Sequence, residues 1–199
     1  MKIIHCPLNL TPAQAHFLQQ LQQRFAQACN AVADIAHRHQ VTARVALHHL
    51  AYETIRSQFP DLGAQLACNA IYAVARGYKQ AQKVKVALRL PDDTQPILRF
   101  SPTAPVFFDR HTLTLKPNAL SLYTLEGRLQ FQLDVSEDVI DTLRAGQVKE
   151  AILHGDGSRY QLSFYLEAKD RSMPGHLLPE VHDHTLYLNV DSQPRIQAV

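Results

Sequence analysis

The chain has 199 residues, 46% of them hydrophobic and 19% charged, with a formal net charge of +2, the balance of an ordinary folded domain. No stretch reaches the ~20 apolar residues of a membrane span, and the run after Met1 is too short for a signal peptide. Cys6, Cys29 and Cys68 are too few and too far apart for a disulfide framework or a thiolate zinc site, so a cytoplasmic location with buried free thiols is expected.

The charge is unevenly placed. From Thr11 to Lys85 eight Lys/Arg stand against three Asp/Glu, whereas from Asp134 to Val199 six stand against eleven. The first region suits a polyanion and the last third repels one, although an excess of this size is also common on solvated helix faces. Several of the eleven histidines (His16, His37, His39, His48, His49) fall in predicted helices and gain charge only below about pH 6.5.

Lys2 to Leu10 reads as a strand, with Pro7 marking an edge or a bulge. Thr11-Pro12-Ala13-Gln14 is a capping box with proline at the first helical position. Leu18, Leu21, Phe25, Ala28, Val32 and Ile35 then recur at spacings of three and four, which predicts one apolar stripe on a helix of roughly seven turns. Thr42 is placed to cap a second helix running to about Phe59 and carrying Val45, Leu47, Leu50, Ala51 and Ile55. Pro60-Asp61-Leu62-Gly63 interrupts it. A third helix is predicted from about Asp61 to Val84, with Leu66, Ala70, Ile71, Val74 and Tyr78 on one face. The three stripes can bury one another.

After Val86 the pattern changes. Pro91-Asp92-Asp93-Thr94-Gln95-Pro96 is a loop, followed by short strands near Val106–Phe108, Thr112–Lys116, Leu120–Thr124 and Arg128–Val135. Leu129 to Val135 alternates strictly, so one face is buried, and Glu126-Gly127 makes the preceding turn. Ser136-Glu137-Asp138 opens a short helix closed by Ala145-Gly146. A hairpin follows from Glu150–His154 through Gly155-Asp156-Gly157 to Tyr160–Ala168, then a Pro/Gly linker over Lys169–Glu180 and a terminal strand. Short strands with tight turns suggest a barrel or a sandwich. The first strand is taken to join the later ones, which makes the helices an insertion into the barrel.

Two runs carry a family resemblance. One is Leu50-Ala51-Tyr52-Glu53-Thr54-Ile55-Arg56, continued by Gln65, Ala70-Ile71, Val74-Ala75 and Tyr78-Lys79. The other is Phe108-Asp109-Arg110-His111-Thr112-Leu113, then Leu120-Ser121-Leu122-Tyr123-Thr124-Leu125-Glu126-Gly127-Arg128. Together they resemble the N-terminal half of the TnpB/OrfB family, transposon-encoded RNA-guided nucleases related to type V CRISPR effectors. The resemblance extends over essentially the whole chain. It implies an α+β fold: a wedge, oligonucleotide-binding-like β-barrel with an inserted three-helix recognition bundle, ending in a fragment of a RuvC strand hairpin. The implied divisions are residues 1–10 as the first barrel strand, 11–86 as the helical insertion, 97–170 as the rest of the barrel, 171–184 as a linker and 185–199 as the truncated RuvC start. The family's first nuclease motif reads roughly Asp-Leu-Gly-Ile-x-x-x-Ala-Val. Asp191, Ala198 and Val199 match it in register, while Gln193 stands where the motif has glycine.

Two-metal phosphodiester cleavage needs several converging carboxylates, and Asp191 is the one this chain offers, so it is expected to be vestigial. The resemblance then implies a protein that binds structured guide-type RNA or an RNA–DNA hybrid with target DNA, without cleaving; the alternative is the N-terminal part of a split RNA-guided DNA endonuclease completed by a second polypeptide. RNA-guided proteins grip the backbone with cations and stacking surfaces. The candidates are Arg24, Arg38, Arg44, Tyr52, Arg56, Arg76, Tyr78, Lys79, Lys83, Lys85, Arg110 and Arg128. Each also reads as an ordinary solvated cation or, for the tyrosines, as core packing. No cofactor is expected, and Mg enters only if a second polypeptide completes the RuvC site in trans. A protein–protein adaptor is the further alternative, since full nucleic-acid binders are usually more basic. His182-Asp183-His184, with His176 nearby, is a weak metal pattern.

Overall fold

The first strand, β1 (Lys2–Asn9), leads directly into the capping box in the computed structural model of the chain, which describes residues 2–89, 96–116, 119–133 and 135–167. Both halves of the box are made. The Thr11 hydroxyl accepts from the Gln14 amide, and Gln14 Oε1 accepts from the Thr11 amide at 2.9 Å. Pro12 starts α1 (Pro12–His39), and all six residues of the expected stripe are buried. The helix stops at Gln40, which turns left-handed at φ 54 and donates its N–H back to Ala36 and His37. Residues 37–39 place His, Arg and His in the last turn, complementing the helix dipole.

The next two helices begin later than the sequence suggests. α2 (Arg44–Gln58) is preceded by Ala43, and no side chain caps it, so Thr42 does not play that part. Leu47, Ala51 and Ile55, four apart, are its buried face, while Val45 is 69% exposed. α3 (Ala64–Ala87) starts after Gly63 rather than at Asp61. Asp61 stays in the connection because its carboxylate is held by Arg24 of α1. Leu66, Ala70, Ile71, Val74 and Tyr78 are buried as expected.

Seven strands form one antiparallel sheet. After β1 come β2 (Val106–Phe108), β3 (Leu113–Leu115), β4 (Leu120–Thr124), β5 (Gly127–Leu133), β6 (Gln147–Gly155) and β7 (Tyr160–Glu167), with α4 (Glu137–Ala145) between β5 and β6. Their order is β2-β6-β7-β1-β5-β4-β3. The two end strands, β2 and β3, are consecutive in the chain and joined by residues 109–112 alone, so the sheet curls into a nearly closed barrel. β1 lies mid-sheet, pairing with β7 over Lys2–Pro7 and with β5 at Leu8 and Asn9. Pro7 is therefore not on an outer strand: its missing N–H falls where β1 changes partner, which is why a proline is tolerated there. Gly127 adopts φ +84 in the β4–β5 turn, a conformation that favours glycine.

The helices and the sheet share one apolar core, with Phe25, Val32 and Ile71 in the same cluster as Phe108, Leu122, Phe131 and Phe164. On β7, Leu162 to Leu166 are all buried, as expected for a strand covered on both faces. Among the described residues no helix is long and apolar enough to cross a membrane. The expected linker, the terminal strand, Asp191 and the His182–His184 pattern lie outside the described residues.

Candidate nucleic-acid interface

The long side chains of α1–α3 divide into those that hold the fold together and those that reach solvent. Arg24 donates from Nε and Nη2 to the Asp61 carboxylate at 2.8 Å, and its guanidinium lies 4.6 Å from the Phe59 ring centroid. Arg56 Nη1 donates to the Leu62 carbonyl at 2.7 Å, tying α2 to the turn that follows it. Arg76 Nη1 meets Glu150 Oε1 at 2.7 Å, fastening α3 to β6, with both side chains about one-fifth exposed. Tyr78 is buried, and its hydroxyl donates to the Ala33 carbonyl at 3.4 Å. These four residues are placed by internal contacts.

α3 makes this docking with a second, polar stripe. Gln65, Asn69, Tyr72 and Arg76 recur at helical spacing on the side facing the barrel. Gln65 Nε2 donates to Asp109, Asn69 Nδ2 donates to the Phe107 carbonyl at 2.9 Å, and the Tyr72 ring stands edge-on to Phe107. Gly63, just before α3, lies so close to the Tyr123 ring that an added Cβ would sit 2.5 Å from Cε1.

The remaining helical candidates lie at the surface. Arg38 and Lys79 are exposed. Arg44 is exposed too, with its guanidinium 4.8 Å from the Tyr72 centroid. Tyr52 is half-buried and stacked on His48 at 5.0 Å. Lys83 and Lys85 are half-buried in the last turns of α3. Of the three acids between Thr11 and Lys85, two are committed: Asp61 to Arg24, and Asp34 to Arg99. The Arg24 hydrogen bond is the main reason the Asp61 carboxyl is held below its ordinary value. Glu53 is left to offset the exposed cations on α1–α3.

The barrel candidates gather at the seam between β2 and β3. Asp109 shapes this loop, its Oδ1 accepting from the His111 amide at 2.9 Å and from the Thr112 hydroxyl at 2.9 Å. That folding leaves Arg110 and His111 exposed at the tip. Arg128, opposite on β5, donates from Nη2 to the His111 carbonyl at 2.6 Å and from Nη1 to Thr114 Oγ1 at 3.4 Å. Beside the loop lies a cleft of about 390 Å³ whose walls include Arg110, Thr114, Leu113, Leu115, Val148 and Arg144 of α4. Sequence reading missed Arg144, which belongs to a net-acidic region, and Tyr72, which has the same periodicity as its core neighbours. No local pattern marks either one.

Among the described residues no group of His, Cys, Asp or Glu is arranged to hold a metal ion. A scan against protein-family models matched none, and a search of curated proteins returned no match.

Proposed function

We propose that this chain is a nucleic-acid-binding protein with the N-terminal architecture of TnpB/OrfB proteins. In this reading the sheet is a wedge barrel, α1–α3 are its inserted recognition bundle, and the pair grips structured guide-type RNA by its backbone without cutting it. The observation that carries the reading is the distribution of charge on the helices. Two of their three acids are spent in internal ion pairs, while Arg38, Arg44 and Lys79 remain exposed. Cations presented in this way suit phosphate contacts, which need positive charge and little geometric precision.

The test is RNA binding by fluorescence anisotropy across 50–300 mM salt, for wild type and for Arg38→Ala/Arg44→Ala/Lys79→Ala. Each phosphate contact with a single strand contributes about 0.7 to the slope of log K against log salt. The triple variant is expected to bind at least tenfold more weakly, with a slope shallower by about 2 if all three contact phosphate. Arg56 and Arg76 are left out because replacing them disturbs the fold. Absent or salt-independent binding by the wild type sinks the proposal and favours the protein–protein adaptor.

A further inference from the structure

We infer that the barrel seam takes up an extended segment of a partner polypeptide, which adds a short strand along β3. This goes beyond the RNA reading and does not depend on it. The hydrogen bonding of β3 shows which of its backbone groups are committed. The Thr112 carbonyl accepts from the Tyr123 amide, the Lys116 amide donates to the Ala119 carbonyl, and Thr114 stands opposite Ser121. Thr112, Thr114 and Lys116 therefore bond to β4, and the alternation of an antiparallel ladder turns the backbone of Leu113 and Leu115 the other way. The Leu113 amide is used locally, on the Asp109 carbonyl. The Leu113 carbonyl and both backbone groups of Leu115 face the seam, where no described strand pairs with them.

Across the seam β6 is open in the same way. Its pairing with β7 continues to Gln147, but its pairing with β2 stops at Ala151. The cleft of about 390 Å³ lies between these two edges, with Leu113, Thr114 and Leu115 on one side and Val148 and Ala151 on the other. It has the place of a missing stave in the barrel. An unpaired edge is a template for another strand, and backbone groups give the affinity in such pairing while pockets read alternate side chains. Charge selects against a polyanion here, because each cation at the rim has an acid beside it. Arg144 pairs with Asp141 at 3.3 Å, Lys149 pairs with Glu167 at 2.8 Å, and Arg110 lines the cleft together with Asp109. With Leu113, Leu115 and Val148 in the wall, the matching occupant is an uncharged extended peptide carrying an apolar side chain at every second residue. The described residues of a second copy offer β2 and β3 as end strands, three residues each, so a separate polypeptide is the better match.

The experiment selects from a display library of short random peptides on the full chain, then measures synthetic versions of the enriched ones. Enriched sequences are expected to alternate apolar and polar residues and to bind at micromolar concentration. On binding, amide exchange at Leu115 is expected to slow about tenfold, the effect of one new hydrogen bond. Val148→Glu puts a charge into the apolar wall, and Leu115→Pro removes an outward N–H at a position where proline breaks no bond to β4. Each is expected to weaken binding about tenfold. Their folds are checked by circular dichroism, and the exchange of wild-type Leu115 decides the matter if neither folds. No enrichment, or binding that leaves Leu115 exchange and the folded variants unchanged, overturns the proposal. Protection of Leu115 in a concentration-dependent dimer without peptide overturns it in favour of a second copy, and protection by single-stranded RNA but by no peptide overturns it in favour of RNA. The salt-dependence test of Arg38, Arg44 and Lys79 stands apart from all of these outcomes.

Discussion

Arg24 and Asp61 illustrate how a charged residue can be structural although it sits at the surface. The pair makes parallel hydrogen bonds, and the guanidinium also covers Phe59, so α1 and the α2–α3 connection meet at one side chain. The two side chains are 30% and 42% exposed, which limits the pair to the range of well-formed surface ion pairs. Arg24→Ala is expected to cost about 1 kcal/mol, counting the lost contact with the ring. The pH dependence has a definite sign. The carboxyl is held below its ordinary value, about 3.8, chiefly by the Arg24 hydrogen bond, so this stabilisation is present above that value and lost as pH falls through the lowered one. Urea melts of wild type and Arg24→Ala should differ most above the ordinary carboxyl value, as at about pH 6, and the difference should shrink in acid toward the part owed to the Phe59 contact.

The thiols show the opposite shift. Burial pushes Cys6 up to about 11 and Cys29 well above the usual thiol range, and raises half-buried Cys68 as well. A raised thiol favours the folded state below its ordinary value, about 9, and that advantage fades as pH climbs toward the raised one. Since the thiolate is the nucleophile, a maleimide at pH 7.5 should label Cys68 first and slowly, and reach the other two on unfolding. Peptide mapping of a labelling time course would decide this. Native labelling of Cys29 ahead of Cys68 would contradict the packing of α1 against α3.

At the scale of elements, the attachment of α3 to the barrel has the clearest consequences. Arg76 and Glu150 are about four-fifths buried, and the arginine also lies 5.4 Å from the Phe107 ring centroid. Removing one partner leaves the other charge partly desolvated. Arg76→Ala is therefore expected to destabilise by about 1–3 kcal/mol, between the surface and the buried limits. Arg76→Met combined with Glu150→Leu should recover part of the loss, because no charge is then left unpaired. A double-mutant cycle in urea with a coupling energy near zero would show that the pair does not fasten the helix.

What could be read from the sequence also sorts at this scale. The capping box at Thr11 and the stripes of α1 and α3 depend on neighbours within four residues, so local spacing reveals them. Thr42 misleads because the same residue types that cap helices also populate the turns before them. That β1 joins the later strands was legible and holds, but which two strands it pairs with was not. Its place between β7 and β5 is set by partners more than 120 residues away, and Pro7 alone suggested an edge or a bulge. The candidate interface follows the same rule. Arg110 and Arg128 stand out beside turn residues, whereas Arg76 reads as a free cation until folding brings Glu150 to it.

For the whole molecule, the decisive feature is that helices and barrel do not have separate interiors. One contiguous apolar cluster runs from Phe25 and Ile71 on the helices to Phe131 and Phe164 on the strands. Polar contacts reinforce it: Asn30 both donates to and accepts from the Phe100 backbone at 2.9 and 2.8 Å, and Gln14 Nε2 reaches the Gln130 carbonyl at 2.9 Å. Separating the two halves would expose apolar surface from both and leave these backbone groups to find water. The chain should then unfold as one unit. Helix content at 222 nm and tyrosine absorbance, which reports mainly on aromatic packing, are expected to give superimposable urea transitions. In Asn30→Ala the common midpoint should fall, with about 1–3 kcal/mol lost for the unpaired Phe100 groups, and the two probes should still coincide. Two resolved transitions, or a midpoint shift confined to the helical probe, would mean that the helices fold independently of the barrel.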